Sequence, residues 1–391
     1  LASVAIANPY RGFNLQASQS RKHPATYLEG LPQVQDKILS IKSQQTADLT
    51  GHPLDDTRDL LRRLPSFDDA AVAHAQHRQT MAYHDPRERG HLSALAAWLS
   101  GRRAVATSPV AKIGLCIFAG AHGWLAQDRQ EAAIKSLKTR LLILSAGGSP
   151  ANVQAGRMGA AVQVFDLAID QPSANASIAD GMTELECARA VAFGMQAIQQ
   201  QYDVLVLHSL GAGGREVSAA MAICLFGGDS ADWVAGAMTD LSEEFNRACT
   251  VIGIMAERAQ RGTPDPLELL RRLGSREMAA LAGAILAARL QQVPVILDGF
   301  DAVIAAAVLA KAAPGAMEHC LVADRDGTAA FDRLLSTLSV EPVQHHKIRG
   351  GDGLAGLLAA CDLQTSAALQ LEIVSQDQVQ KLLSNGNVTP V

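Results

Sequence analysis

Aromatic side chains are scarce in this chain, 4% of its 391 residues against 48% apolar overall, so the core must be built from Ala, Leu, Val and Ile. No excess of positive charge is present to attract nucleic acid. The 34 Lys and Arg against 39 Asp and Glu give a net charge of -5, which leaves small anionic ligands to local sites. The six cysteines, Cys116, Cys187, Cys224, Cys249, Cys320 and Cys361, include no C-x-x-C pair and no histidine at ligand spacing. That argues against a disulfide framework or a metal, and for reduced core thiols in a cytoplasmic protein. No apolar run approaches the roughly 18 residues needed to cross a bilayer, so no membrane partner is expected. The chain starts at Leu1 with no basic stretch followed by an apolar core, so no signal peptide is read and a processed or truncated start is expected. Nothing in these patterns asks for a cofactor.

What is present reads as alternating strands and helices. Residues 1–55, rich in Gln, Ser, Asn and Pro and with one amphipathic run from Val34 to Ile41, read as an extension or linker. Residues 56–110 read as a helical region of a smaller domain: acids precede a leucine pair, Pro65 follows, and Ser66 is placed to cap a second helix. From 111 to 365 short apolar runs recur, at Lys112–Ala119, Ala161–Ile169, Asp203–Leu207, Val293–Leu297 and Cys320–Ala323. Helical patterns separate them, among them one capped by Thr183 with Glu186 in its first turn, and a pair broken at Gly274 with Ser275 capping the second. The class expected is α/β, a Rossmann-like parallel sheet flanked by helices with a smaller helical domain. Residues 366–391 read as a polar tail.

Chemistry is expected where these strands end, because open α/β sheets bind ligands outside their carboxyl ends. Asp298 and Gly299 close one strand and Asp324 another. Gly350, Gly351 and Gly353 surround a single carboxylate, Asp352, ahead of an apolar helix. The loop Gly211–Gly214, followed by Arg215, runs from a buried strand into a helix, a geometry that holds phosphate through converging amides and a guanidinium. The same loop also reads as a tight turn needing no ligand, and Glu216 breaks the dinucleotide pattern G-x-G-x-x-G. His122, at another strand end, reads either as a structural hydrogen-bonding residue or as part of a site. Arg247 reads as a helix-surface base.

Three segments carry a resemblance. LDGF (Leu297 to Phe300), SVEP (Ser339 to Pro342) and GDG (Gly351 to Gly353) resemble, in order, the LDGF, S-x-EP and GEG segments of nicotinate-nucleotide:dimethylbenzimidazole phosphoribosyltransferases, with the spacing from SVEP to GDG matched without a gap. The Gly211 loop is similar to the family's G-E-L-G-M-A-N-T-T-P-A-A-A-M, with Leu210, Gly211, Ala219, Ala220 and Met221 identical. Gly236–Gln260 resembles G-A-N-L-P-P-S-R-I-D-N-K, keeping Asn246 and placing Arg247 at a lysine. His122 and Gly123 match A-D-H-G. Propensity alone makes Leu141–Leu144 a strand; the resemblance makes it a helix end, which is the expectation adopted.

The resemblance implies transfer of phosphoribose from nicotinate mononucleotide to a benzimidazole base, in a homodimer that uses no cofactor or metal. It implies Asp352 as the catalytic base. It implies Gly211, Gly213, Gly214, Arg215, Asn246, Arg247, Ser339, Glu341, Gly351, Gly353, Ser209 and His122 as substrate-binding residues. Departures from the family pattern gather at that site: Asp352 and Ser209 stand for glutamates, Ala121 for an acid, Gly214-Arg215-Glu216 for Asn-Thr-Thr, and the charged DPRERGH (Asp85 to His91) for K-P-P-G-S-L-G. Two other readings stay open on the sequence: a catalytically weak paralogue that binds nucleotide or base or pairs with an active subunit, and an unrelated Rossmann-like nucleotide binder.

Overall fold

Five short runs of β-branched and apolar residues form the spine of the protein, whose computed structural model describes residues 52–103, 109–198, 202–236 and 242–384. They are β1 (Ile113–Ala121), β2 (Ala161–Asp166), β3 (Val204–Ala212), β4 (Val295–Asp298) and β5 (Cys320–Val322), ordered β2-β1-β3-β4-β5. Every pairing is parallel, with Leu115 beside Val206, Leu207 beside Leu297 and Val295 beside Cys320. The chain moves outward from β1 to β2, then returns to lay β3 on the other side of β1. The crevice between β1 and β3 is therefore the switch point at which such sheets hold ligands.

Alternation along the strands sends Cys116, Phe118, Leu205 and Leu207 to one face and Leu115, Ile117, Val204 and Val206 to the other. Helices cover both faces, as buried parallel strands require. In chain order they are α1 (Asp55–Leu61), α2 (Asp69–Thr80), α3 (His91–Arg102), α4 (Gln127–Ser145), α5 (Pro150–Met158), α6 (Glu184–Ala197), α7 (Gly214–Phe226), α8 (Ser230–Val234), α9 (Glu243–Ala259), α10 (Pro266–Leu273), α11 (Arg276–Leu290), α12 (Phe300–Ala312), α13 (Ala329–Leu338), α14 (Leu354–Glu372) and α15 (Gln376–Ser384). The first face packs on α6, α7, α11 and α12, the second on α4, α5 and α14. The expected α/β class stands, and Leu141–Leu144 lie within α4, as the resemblance implies.

Several local expectations change. Asp68, not Ser66, caps α2: its carboxylate accepts from the Ala71 amide at 2.8 Å. No domain break follows residue 365, because α14 continues to Glu372 with Ser366 and Ala367 buried, and α3 packs against it. Among the described residues α14 is also the one helix long and apolar enough to cross a bilayer, where the sequence reading saw no such run. Its apolarity is used inside the protein, since Leu357, Ala359, Ala360 and Leu363 are buried in the second core. The expected 1–55 extension lies, apart from its last residues, outside the described residues.

The abundance of alanine and glycine has a packing cause. Every residue of α11 from Glu277 to Arg289 is buried, and α6 crosses it so closely that a Cβ on Gly194 would overlap the Ala280 backbone and one on Gly283 the Val191 backbone. Backbone atoms cannot swing aside as a flexible side chain does. Gly283→Val is therefore expected to destabilise the protein by about 3 kcal/mol, read as a lower urea midpoint with an unchanged m-value; a wild-type midpoint would show that the two helices separate freely.

Candidate functional site

At the carboxyl end of β1 the chain buries a charged pair. His122 and Glu277 are 1% and 0% exposed, and the His122 Nε2–H donates to Glu277 Oε1 at 2.7 Å. Ser275 does not cap α11 with its side chain as expected. Its hydroxyl instead donates to Glu277 Oε2 and lies 3.2 Å from His122 Nε2. Burial alone lowers the basicity of His122, but the facing carboxylate outweighs it and the pKa is raised. Burial raises Glu277 in turn, yet the imidazolium and the Ser275 hydroxyl bring it below the usual range. The pair needs room in both strands: a Cβ on Gly120 would occupy the carboxylate's place, and one on Gly211 would sit 3.1 Å from Glu277 Oε1 and 3.3 Å from His122 Nε2.

The turn from β3 into α7 lies against this pair. Gly213 takes a left-handed conformation (φ 81°), and its carbonyl accepts from Trp124 Nε1 at 2.8 Å, which ties the turn to the loop after β1. The Arg215 guanidinium stacks on Phe300, 3.8 Å from the ring centroid. Its Nε and Nη2 are buried and have no hydrogen-bond partner among the described residues. Burial lowers its pKa, opposed by Asp301 and Asp326, and the group stays a cation at any working pH. Glu216, the residue that breaks the dinucleotide pattern, is half-buried, and its pKa is raised by desolvation. A guanidinium with two buried, unused nitrogens at the start of a 13-residue helix has the chemistry to receive an anion such as phosphate.

A second polar cluster faces the α4 and α14 side. Asp352 is 8% exposed, takes a left-handed φ of 55°, and accepts from Arg140 Nη2 and, at 3.1 Å, Arg140 Nε, both on Oδ1. Below it, His208 pairs in register with Asp298 across β3 and β4. The Asp298 carboxylate also accepts from the Gly356 amide at 2.7 Å, in the first turn of α14. Gly353 caps α14 over Leu115 of β1, so Gly351, Asp352 and Gly353 lie on the α4 and α14 face of the sheet.

The carboxyl ends of β1 and β3 thus bring together His122, Gly211, Gly213, Gly214 and Arg215 on the α7 and α11 side, while Gly351, Asp352 and Gly353 lie on the α4 and α14 side, with Gly353 against Leu115. Ser209 is buried on the α11 and α12 face, with no partner for its hydroxyl among the described residues. Asn246 and Arg247 are exposed on α9, apart from the buried polar groups. Ser339 closes α13 in a left-handed conformation, and Glu341 is 84% exposed, 3.7 Å from Arg325. The Val343 amide donates to Val322 and the Gln344 amide to Ala323, so Ser339 and Glu341 lie back towards the start of β5, at the amino edge. The structure does not bring them to the cluster.

Glu277, Arg140 and His208 were not singled out from the sequence, and Ser275 was read only as a helix cap. Glu277 carried a readable signal, a single acid at the head of a long apolar helix; Arg140, on a helix with many charges, carried none. Cavities of about 210 and 870 Å3 lie elsewhere, the first among α2, α3 and α14 and the second beside α14 and α15, so the chemistry of the edge rather than cavity size marks the site. Among the described residues no three His, Cys, Asp or Glu side chains stand together to hold a metal.

A family model described as phosphoribosyltransferase matches residues 64–380. The chain is 34% identical over 333 residues to the nicotinate-nucleotide–dimethylbenzimidazole phosphoribosyltransferase of Allorhizobium ampelinum, covering 84% of this chain and 97% of that one. It is 36% identical over 322 residues to the enzyme of that name from Sinorhizobium fredii, covering 82% and 94%. A solved structure of the same title from Thermus thermophilus superposes with a TM-score of 0.72 at 23% identity, over 80% of this chain and 98% of that one, a likeness of fold.

The His122–Glu277 pair makes stability depend on pH in a stated direction. His122, raised in the fold, contributes fully below its ordinary 6.5, and the contribution is lost as pH climbs through the raised value. Glu277, lowered in the fold, contributes fully above its ordinary 4.5, and the contribution is lost as pH falls. Glu277→Gln is therefore expected to cost about 3–5 kcal/mol near pH 6 and progressively less on either side, measured by denaturant unfolding across pH; a deficit constant with pH would mean that the pair is not ionised.

Proposed function

The chain belongs to the nicotinate-nucleotide–dimethylbenzimidazole phosphoribosyltransferase family, and we propose that it transfers phosphoribose from nicotinate mononucleotide to 5,6-dimethylbenzimidazole or a related base, giving α-ribazole 5'-phosphate and nicotinate in cobalamin biosynthesis. The observation that carries the assignment to this site is the guanidinium of Arg215, with two buried nitrogens left without a partner at the Gly211–Gly214 turn, and across the sheet on the α4 and α14 side stands the carboxylate of Asp352. The first suits the donor's phosphate, the second the acceptor's N–H.

The reaction asks little of the leaving side. The ribose C1'–N bond breaks with its electron pair going to a cationic pyridinium, so nicotinate departs without an acid. The acceptor forms its new bond through one ring nitrogen while the other loses a proton, and that proton needs a base. Asp352 takes this role: Arg140 holds Oδ1, which leaves Oδ2 for the N–H. Aspartate is one methylene shorter than the family's glutamate, and its left-handed backbone sets where the carboxylate reaches. The Gly211–Gly214 turn and Arg215 receive the phosphate, and desolvation, which raises the Glu216 pKa, lessens the repulsion from that side chain.

The working unit in this reading is a homodimer, and exposed apolar side chains including Met81, Tyr83, Val374 and Leu382 offer a surface for it. The six cysteines, none in a disulfide among the described residues, suit a reducing cytoplasm.

Incubating the protein with nicotinate mononucleotide and 5,6-dimethylbenzimidazole, with products followed by chromatography and mass detection, tests the assignment. Wild type is expected to form α-ribazole 5'-phosphate. Asp352→Asn should lower kcat by about 100-fold or more, and Arg215→Ala should raise KM for the mononucleotide by about tenfold. Failure of the wild type to release nicotinate with either substrate saturating would sink the reading.

A further inference from the structure

His208 is a group that the phosphoribosyl-transfer reading does not use. It lies in β3 opposite the last residue of β4, and the alternation of the strand turns it to the α4 and α14 face, where Asp352 and Arg140 stand. The residue is 8% exposed. Its Nδ1–H donates to the Asp298 carbonyl at 2.9 Å, and the Asp298 carboxylate is 3.6 Å from the same nitrogen. Nε2 is buried, with no partner among the described residues. A neutral imidazole anchored through Nδ1–H presents Nε2 as a lone pair, the tautomer a base needs. The anchor is itself fixed, since the Gly356 amide holds Asp298 Oδ2 from α14. In the aligned family segment G-E-L-G, glycine stands where this chain has His208, so the imidazole accompanies the loss of two glutamates nearby.

Asp352 has a weakness as a proton holder. Its Oδ1 already accepts two hydrogen bonds from Arg140, so a proton taken there meets an occupied oxygen. An imidazole is the stronger base by about two pH units before any environment acts.

We propose that His208 is a second proton acceptor of this site, taking on Nε2 the proton that Asp352 draws from the acceptor base, with Asp298 as its positioning residue. The inference rests on the phosphoribosyl-transfer reading. The benzimidazole N–H bond breaks towards Asp352 as the other ring nitrogen bonds to C1' and nicotinate leaves with the electron pair of the broken bond. The proton then passes from Asp352 to Nε2, which restores the carboxylate beside Arg140 and leaves an imidazolium. Product release opens the way for that proton to solvent. The charged groups acting on His208 are Asp298 from β4 and Arg140 from α4, and Arg140 in turn holds Asp352 ahead of α14. Burial and Arg140 lower its pKa, and Asp298 reverses that to a net rise above the ordinary 6.5. Turnover that needs the neutral ring therefore climbs with pH through a value above 6.5.

The test is kcat from pH 5 to 9 for the full-length wild type and His208→Gln, each first checked for cooperative melting. Expected is a fall in kcat of about 10- to 100-fold with KM for the mononucleotide unchanged, and loss of the limb above 6.5. A variant with wild-type kcat and the same pH profile overturns the proposal while leaving the transfer reading intact. Should wild type form no product, or the variant fail to fold, 15N-histidine NMR of the wild type decides. The proposal expects His208 as the Nδ1–H tautomer, with an Nε2 resonance that moves when 5,6-dimethylbenzimidazole is added. An Nε2 resonance indifferent to the base overturns it.

Discussion

The buried ion pair between His122 and Glu277 fixes the rest of the site. Two charges placed where water cannot reach them are tolerated only when each is the other's partner, as these two are through Nε2 and Oε1, although His122 Nδ1 has no partner among the described residues. That condition sets the glycine at 120, the glycine at 211, and the hydroxyl at 275 that bonds the carboxylate instead of capping its helix. Because Glu277 begins α11 and His122 ends β1, the pair also sets how far the helix slides along the sheet. The turn from β3 into α7 rests on this base, so the placement of Arg215 follows from it.

The two faces of the sheet carry different halves of the chemistry. On the α7 and α11 side stand the groups suited to an anionic donor: the imidazolium pair, the glycine turn and a guanidinium pressed on Phe300. On the α4 and α14 side stand those suited to a proton-bearing acceptor: Asp352 on Arg140, and His208 on Asp298. The switch point between β1 and β3 is where a substrate spanning both faces meets them. The separation has an electrostatic use, because a carboxylate kept apart from the phosphate does not repel it.

Strand positions and the parallel class were legible because buried parallel strands are continuous apolar runs, as at Val293–Leu297 and Asp203–Leu207. The capping box of α6 was legible too, with Thr183 and Glu186 satisfying each other's backbone amides. The site was legible in part. Glycines and Asp352 announce themselves at strand ends, whereas Arg140 looks like any surface arginine until α4 folds it onto a residue 212 positions away. Glu277 and Ser275 were read as helix packing and a cap, although an acid at the head of an otherwise buried apolar helix needs a partner. Ser339 and Glu341 show the opposite failure. Their motif is clear in the sequence, yet the run of Val343 and Gln344 alongside β5 carries them to the far edge of the sheet.

The central claim is that the carboxyl edge between β1 and β3 is where the nucleotide sits. A crystal structure of the protein with nicotinate mononucleotide tests it most directly. The account predicts the phosphate at the Gly211–Gly214 turn within hydrogen-bond distance of Arg215, with the nicotinate ring directed towards Asp352. A mononucleotide bound at the amino edge beside Ser339 and Glu341, with Arg215 still stacked and unpaired, would contradict it.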